Sequence, residues 1–384
     1  MLHLYEIGLS LRPNFCTMTP DLNTSNAAID LLKRMIAIPS VSRDEAAVAD
    51  MLEAYLREVS PVDVHRSGNN LWLMADGFDA SRKTLLLNAH IDTVKPVATW
   101  TYDPFQPTEV GSRIYGLGTN DDGASVVSLL HTFLYLIGHE TLSYNMIFLA
   151  SCEEEVSGKN GISSVLPLLP KIDVALVGEP TGMNPKNAGG IRVAVAEKGL
   201  MVLDGTAHGK SGHAARNEGV NALYLALDAI NTLRDFRFDR ESQTLGPVKV
   251  TTTVINAGTV HNVIPDTCSF VVDVRTTDAY TNEEVARRLQ EAVAPVELKP
   301  RSTRLQPSGI DREHPLLKRI IEVAPDATLF GSPTLSDQAL LPCPSLKMGP
   351  GDSARSHTAD EFIDRQEIID AIDLYTTILS DLNL

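Results

Sequence analysis

Residues 84–94, Thr-Leu-Leu-Leu-Asn-Ala-His-Ile-Asp-Thr-Val, place a histidine and an aspartate at the end of a predicted strand. The first four residues are apolar or β-branched, which favours a buried strand. His90 and Asp92 lie two residues apart, and such side chains point the same way in an extended chain. Either His90 ligates a metal while Asp92 holds the other ring N–H, or the pair is a satisfied strand end. This segment alone favours the second interpretation.

The composition limits the class of protein. A chain of 384 residues suggests two domains, and 43% hydrophobic with 21% charged residues is ordinary for a soluble globular protein. The formal net charge of −16 argues against nucleic-acid binding, because little would neutralise the phosphates. The four cysteines form no CxxC pair, which suggests free thiols in a reducing compartment, so we expect a cytoplasmic protein.

The chain lacks the signals of a membrane or secreted protein. No run of about 18 apolar residues occurs, so we predict no transmembrane helix and no membrane partner. Residues 1–15 lack a basic segment followed by an apolar one and do not resemble a signal peptide. Met18 is an alternative start to Met1, which would leave residues 1–17 as a poorly structured extension.

The order of predicted elements indicates two units. Strands and helices alternate through residue 181, which indicates a largely parallel sheet with helices on its faces. From about residue 190 the strands have one polar face, and residues 192–207 alternate as one such strand. We therefore predict an α/β domain of residues 18–189 and 308–384, interrupted by a smaller α+β domain of residues 190–307.

Acidic residues and a second histidine follow other predicted strands. Glu153, Glu154 and Glu155 come directly after an apolar strand, where they are either costly without a cation or a solvated helix start. Asp121 could be a helix cap and Glu179 a turn residue. His357, in a loop, would ordinarily be exposed. Together with His90, however, these side chains suit a pair of Zn²⁺-like ions bridged by one aspartate.

The order of these motifs resembles the family of dinuclear zinc hydrolases that holds acetylornithine deacetylase and succinyl-diaminopimelate desuccinylase. The likeness runs from about residue 27 to the end. His-x-Asp stands at residues 90–92, Gly-x-Gly-x-x-Asp at 116–121, Glu-Glu at 154–155 and Gly-Glu-Pro-Thr at 178–181, and a late histidine follows Gly-Pro-Gly at 357. The family often reads Met-Lys-Gly after its bridging aspartate, whereas this chain reads Asp122-Gly123-Ala124.

The resemblance implies a role for each matching residue. His90 and Glu179 would hold one Zn²⁺, Glu155 and His357 the other, and Asp121 would bridge them, with Co²⁺ a possible substitute. Glu154 would be the general base and Asp92 would orient His90. The family also implies a cis peptide after Asp121, a zinc-peptidase-like catalytic domain, and an inserted dimerisation or lid domain at residues 190–307.

Four further residues are candidates for substrate contacts. By the resemblance, His213 would reach the oxyanion from the partner of a homodimer, although it could simply be a histidine at a helix start. Asn262 and Arg275 match positions that bind polar groups of the substrate, and an ion pair with Asp273 is the rival role of Arg275. Gly351, in Gly-Pro-Gly, could present a backbone N–H to a substrate carboxylate.

The predicted activity is hydrolysis of the amide of an N-acylated amino acid. N-acetylornithine, cleaved in arginine biosynthesis, is the first candidate substrate, and the N-succinylated ornithine or succinyl-diaminopimelate is the alternative. A dipeptidase or aminopeptidase of the same fold is a second enzyme hypothesis. An inactive binding protein that kept the fold is the non-enzyme hypothesis, and the complete ligand set and Glu154 argue against it.

Overall fold

The computed structural model describes residues 20–183, 190–216 and 218–384. The predicted extension, residues 1–17, and the question of the start therefore lie outside the described residues. The helices are α1 Leu22–Ile36, α2 Ala46–Val59, α3 Ala124–His139, α4 Ile162–Val165, α5 Ala222–Asp235, α6 Asn282–Val293, α7 Pro315–Val323 and α8 Arg365–Ser380. No helix of this described part is both long and apolar enough to cross a bilayer.

The strands of the described residues divide among four sheets. They are β1 Val64–Ser67, β2 Asn70–Met74, β3 Thr84–His90, β4 Thr108–Val110, β5 Arg113–Tyr115, β6 Asn145–Ser151, β7 Val174–Val177, β8 Arg192–Glu197, β9 Gly199–His208, β10 Gly212–His213, β11 Lys249–Ala257, β12 Val263–Ile264, β13 Thr267–Thr276, β14 Glu297–Pro300, β15 Ser308–Gly309, β16 Thr328–Ser332, β17 Ser345–Lys347 and β18 Phe362–Asp364. The sequence did not predict nine of these strands, each of five residues or fewer: β1, β4, β5, β10, β12, β14, β15, β16 and β18.

The largest sheet has nine strands in the order β1-β2-β6-β3-β7-β17-β8-β15, with β16 also paired to β8. Its centre, β6-β3-β7-β17, is parallel, as is the pair β16-β8. Helices α1, α3 and α8 pack together over one face around a continuous apolar core. A smaller cluster that includes Trp72 and Ile162 covers the other face. The predicted α/β class with a mostly parallel sheet is confirmed.

The second unit is an antiparallel sheet in the order β11-β13-β9-β14. Helices α5 and α6 cover one of its faces with a separate apolar core that includes Phe270 and Leu289. This sheet is the inserted α+β unit expected from the sequence.

The prediction of a single strand over residues 192–207 is wrong. It consists of two strands in different sheets, because β8 pairs with β16 and β17 of the large sheet while β9 pairs with β13 and β14 of the insert. The cause is burial: five of the six residues of β8 are buried, whereas β9 buries only alternate residues. The insert therefore begins near Lys198 rather than at residue 190.

Candidate metal centre

The predicted ligands meet at the carboxyl edge of the parallel strands, where α/β sheets place their sites. His90 ends β3, while Glu154 and Glu155 follow β6. Glu179 follows β7 by two residues. Asp121 lies in the turn Thr119–Gly123 that opens α3. A cavity of about 190 Å³ lies at this edge, and it is lined by Asp121, Glu154, Glu155, Glu179, Pro180, Thr334, Leu335, Ser353, Ser356 and His357.

Asp121 lies between the two imidazoles. Its Oδ1 is 3.2 Å from His90 Nε2, and its Oδ2 is 3.6 Å from His357 Nε2. His357 Nε2 also lies 3.1 Å from the Glu155 carboxylate. One ligand atom each of His90, Asp121 and Glu155 lie within 4.8 Å of one another. One aspartate oxygen facing each histidine is the arrangement that a bridging ligand requires, so these residues fit two metal ions.

Burial perturbs the carboxylates of this cavity. It raises the pKa of Glu154 well above its ordinary value, helped by the charges of Glu179 and Asp337. Burial and repulsion from Asp121 raise the pKa of Glu179 to about 8, against the opposing charge of Lys347. Burial alone would raise the pKa of Asp121, but the hydrogen bond and charge of His90, together with Ser356 and the charge of His357, outweigh burial and lower this pKa. Crowded acids of this kind are stabilised by bound cations.

Asp92 orients His90 differently from the prediction. The His90 Nδ1 atom lies 2.9 Å from the main-chain oxygen of Asp92 and 3.5 Å from its Oδ1. The Asp92 carboxylate instead accepts the N–H groups of Glu154 and Glu155, at 3.0 and 3.1 Å, and the Ser42 hydroxyl at 2.7 Å. The carbonyl therefore fixes the ring, and the carboxylate fixes the acidic turn.

Glu361 is a site residue that sequence reasoning missed. Its Oε1 accepts the backbone N–H groups of Asn120 and Asp121, at 2.8 and 3.0 Å. It thereby holds the turn in which the Asp121–Asp122 peptide is cis, as predicted. Burial and the neighbouring Asp121 charge raise the pKa of Glu361 to about 8. No spacing in the sequence distinguishes this acid from an ordinary surface glutamate.

A buried ion pair behind Glu179 was also missed. Lys347 Nζ lies 3.2 Å from Glu197 Oε2, and both side chains are almost fully buried. The Ser336 N–H and hydroxyl also donate to Glu197, at 3.2 and 2.7 Å. The available signal was a lysine within the predicted strand of residues 344–348, because a buried lysine needs a partner.

The candidates from the insert lie apart from this cavity. His213 and Asn262 are exposed, on β10 and just before β12, and no described residue of 190–307 lines the cavity. Arg275 makes the rival contact, an ion pair with Asp273 at 2.9 Å. Within one chain, therefore, the structure does not bring these three residues to the metal ligands.

The Gly349-Pro350-Gly351 segment makes contacts within the protein rather than with the cavity. The Gly349 N–H donates to Thr181 Oγ1 at 3.1 Å, so this amide is already engaged. Gly351 has φ +89°, and a Cβ there would lie 2.2 Å from Asn120 Oδ1. Gly351 is buried and does not line the cavity, so its observed role is to let this loop approach the Asp121 turn.

Comparison with known proteins agrees with this geometry. A sequence model of peptidase family M20/M25/M40 matches residues 86–381. The chain belongs to this family. An acetylornithine deacetylase of Klebsiella pneumoniae (strain 342) is 30% identical over 374 residues, which cover 88% of this chain and 94% of that relative. A succinyl-diaminopimelate desuccinylase of Paracoccus denitrificans is 29% identical over 279 residues, 69% of this chain and 72% of that relative.

Solved structures show the same M20 fold. Aminopeptidase PepT of Bacillus cereus aligns with a TM-score of 0.72 and 16% identity, covering 93% of this chain and 98% of the other. A dinuclear metal-binding M20 peptidase of Bacillus subtilis aligns with a TM-score of 0.71 and 17% identity, covering 94% and 98%. The predicted family and enzyme class, a metal-dependent amidohydrolase, are confirmed.

Proposed function

We propose that this M20 hydrolase cleaves the amide bond of an N-acylated amino acid, with N-acetylornithine as the first candidate. The observation that carries the proposal is an aspartate facing two imidazoles, with Glu154 available beside them. The 30% identical relative is named acetylornithine deacetylase, which supports the choice of substrate. Such a reaction would serve arginine biosynthesis.

The proposed ligands divide between two Zn²⁺ ions, for which Co²⁺ could substitute. His90 and Glu179 would hold one ion, Glu155 and His357 the other, with Asp121 between them. When bound, the ions would supply Lewis acidity and lower the pKa of water. Glu154, whose Oε2 lies 3.9 Å from His90 Nε2, would accept a proton from the attacking water and deliver it to the leaving amine.

Replacement of Glu154 tests the proposal directly. Glu154→Ala should retain bound metal, measured by elemental analysis, and should lower kcat by about 10²-fold or more, which is the usual contribution of a general base. Glu153→Gln is the matched control, since Glu153 accepts hydrogen bonds from Asn160 and does not line the cavity. Near-normal turnover by Glu154→Ala would contradict the assignment.

A substrate panel separates the remaining candidates. N-acetylornithine, N-succinylornithine, succinyl-diaminopimelate and dipeptides should be assayed with added Zn²⁺ or Co²⁺. The desuccinylase relative supports the succinyl alternative, and cleavage of dipeptides alone would favour a peptidase. An inactive binding protein would hold no metal and would cleave none of these compounds.

We also propose a homodimer formed through the insert. Among the described strands β11 lies at the edge of its sheet, and its Val254 and Ile255 are 46% and 43% exposed. On the neighbouring helix α5, Tyr224 and Leu227 are 65% and 41% exposed. Apolar side chains beside an open strand edge favour association with a second copy. A partner's insert would then supply His213, and Asn262 and Arg275 remain proposed substrate contacts.

The cysteines support a proposed cytoplasmic location. Cys152, Cys268 and Cys343 are free thiols. Burial raises the pKa of Cys152 and Cys343 to about 12, so these thiols stay protonated near neutral pH. Free cysteines are ordinary in a reducing compartment.

A further inference from the structure

A second chamber opens beside the metal cavity. Its volume is about 180 Å³, and it is lined by Glu179, Pro180, Thr181, Arg192, Phe330, Ser332, Pro333, Thr334, Lys347 and Ser353. Glu179, Pro180, Thr334 and Ser353 also line the metal cavity. A group attached to an amide at the metal centre can therefore extend into this chamber.

Arg192 gives the chamber a positive charge that no described carboxylate neutralises. The other two charged residues are already engaged: Glu179 is a proposed metal ligand, and Lys347 is paired with Glu197 at 3.2 Å. The Arg192 guanidinium lies over the Phe330 ring, 4.7 Å from its centroid, and forms no ion pair within the described part of the chain. The chamber is therefore electrostatically suited to an anion.

The rest of the lining suits a carboxylate in particular. The hydroxyls of Ser332 and Thr334 lie 2.9 Å apart and can reorient to donate to an oxygen. The planar guanidinium presents paired N–H donors that match a carboxylate, and stacking on Phe330 restricts its plane. The Thr181 hydroxyl donates to the Arg192 carbonyl at 2.9 Å and so holds the start of β8, the strand that carries Arg192.

We propose that this chamber binds a carboxylate of the substrate, with Arg192 as its ionic partner. The inference rests on the proposed amide hydrolysis, whose substrates offer two such groups. One is the α-carboxylate of the amino acid, and the other is the distal carboxylate of a succinyl-type acyl group. In the second case the chamber selects dicarboxylic acyl chains over acetyl.

Four amides distinguish these sources: the N-acetyl and N-succinyl derivatives of ornithine and of putrescine, which is ornithine without its α-carboxylate. The metal-loaded wild type, Arg192→Met and Arg113→Met are compared by kcat/KM. Arg113 is the matched control, because it is exposed and stacks on Phe362, 4.3 Å from the ring centroid, outside the chamber. It should behave as wild type.

Loss of a charged bidentate contact should lower kcat/KM about 10-fold or more. A loss confined to the two ornithine amides assigns the chamber to the α-carboxylate. A loss confined to the two succinyl amides assigns it to the acyl group. Unchanged values for all four amides, or an equal loss for all four, would overturn the proposal.

Direct binding separates failure of the chamber from failure of the proposed function. Calorimetric titration of the metal-loaded proteins with succinate, and with acetate for comparison, should show about 10-fold weaker succinate binding to Arg192→Met. If none of the amides is cleaved but this difference is present, the chamber stands and the proposed reaction fails. Equal succinate affinity in wild type and Arg192→Met refutes the chamber unless kcat/KM for the two ornithine amides has fallen in Arg192→Met.

Discussion

At the scale of single residues, Lys347 and Glu197 form a buried ion pair outside the proposed metal ligands. Both charges are withdrawn from water, with side chains 3% and 0% exposed. Breaking such a pair leaves an uncompensated buried charge, which typically destabilises a protein by about 3–5 kcal/mol. The pair therefore stabilises the register between β17 and β8, the strands that carry the two residues.

We predict that Lys347→Met lowers the free energy of unfolding by about 3 kcal/mol or more. The double variant Lys347→Met/Glu197→Gln should recover most of this loss, because no charge is then left unpaired. Both are measured by urea denaturation of the metal-free protein with chelator present.

An exposed ion pair provides the control for this prediction. Arg287 and Glu291 lie 2.8 Å apart on α6, with side chains 59% and 62% exposed. Arg287→Met should cost only about 0.5 kcal/mol, because water screens the pair. If Lys347→Met costs no more than this control, the buried pair is not the stabilising contact described.

The sequence could predict the metal ligands but not the residues that support them. His90, Asp121 and Glu179 follow strands or open a helix in recognisable motifs, so their convergence at one sheet edge was foreseeable. Glu361 and Glu197 act through contacts with residues more than a hundred positions away. No local pattern reports a contact of that kind.

At the scale of elements, the start of α3 explains a departure from the family motif. The usual lysine two residues after the bridging aspartate is replaced by Gly123. A Cβ at Gly123 would lie 2.5 Å from the Gly118 carbonyl oxygen and 2.7 Å from Leu32 Cδ1. The backbone of this chain is therefore packed where a side chain would begin, and Lys347 on β17 places a cation near Glu179.

The burial pattern also explains which strands were predicted correctly from the sequence. The short apolar run of β3 was assigned correctly because helices cover both faces of a parallel strand. Residues 192–207 were predicted as one strand because the segment was interpreted as alternating, with one polar face, along its whole length. Only long-range pairing assigns β8 to one sheet and β9 to another.

Helix α3 contains a buried histidine that should make stability depend on pH. His131 Nδ1 lies 2.8 Å from the Val127 carbonyl, so this nitrogen carries the proton, and Nε2 lies 3.0 Å from the Tyr55 hydroxyl. Burial lowers the pKa of His131 to about 4. The folded state thus favours the neutral ring, whereas the unfolded chain binds a proton below its ordinary pKa of about 6.5.

The sign of the effect follows from proton binding. Between pH 7.5 and 4.5 the unfolded chain gains the proton first, so His131 should remove roughly 2–3 kcal/mol of stability as the pH falls. The free energy of unfolding of His131→Gln, measured by urea denaturation with chelator, should fall by roughly 2–3 kcal/mol less than that of wild type over this pH range. His139 is exposed on the same helix, so His139→Gln should keep the wild-type pH dependence of the free energy of unfolding. Parallel pH profiles for wild type and His131→Gln would contradict this prediction.

At the scale of the whole molecule, the large domain and the insert have separate tasks. The large domain supplies every proposed metal ligand and Glu154, while the described part of the insert does not line the cavity. His213 is exposed in its own chain. If His213 takes part in the reaction, a second copy of the chain is the simplest source, which the exposed apolar side chains of β11 and α5 favour.

Hybrid dimers test this arrangement. Glu154→Ala and His213→Ala homodimers should each be nearly inactive, because every site lacks one proposed group. In a hybrid dimer, the His213→Ala chain keeps Glu154 and receives His213 from its partner, so one of the two sites is complete. Differently tagged chains, co-expressed and purified through both tags, should therefore show about half of the wild-type activity per dimer. An inactive hybrid, an active His213→Ala homodimer, or a monomer in sedimentation analysis would each show that His213 does not act across a dimer.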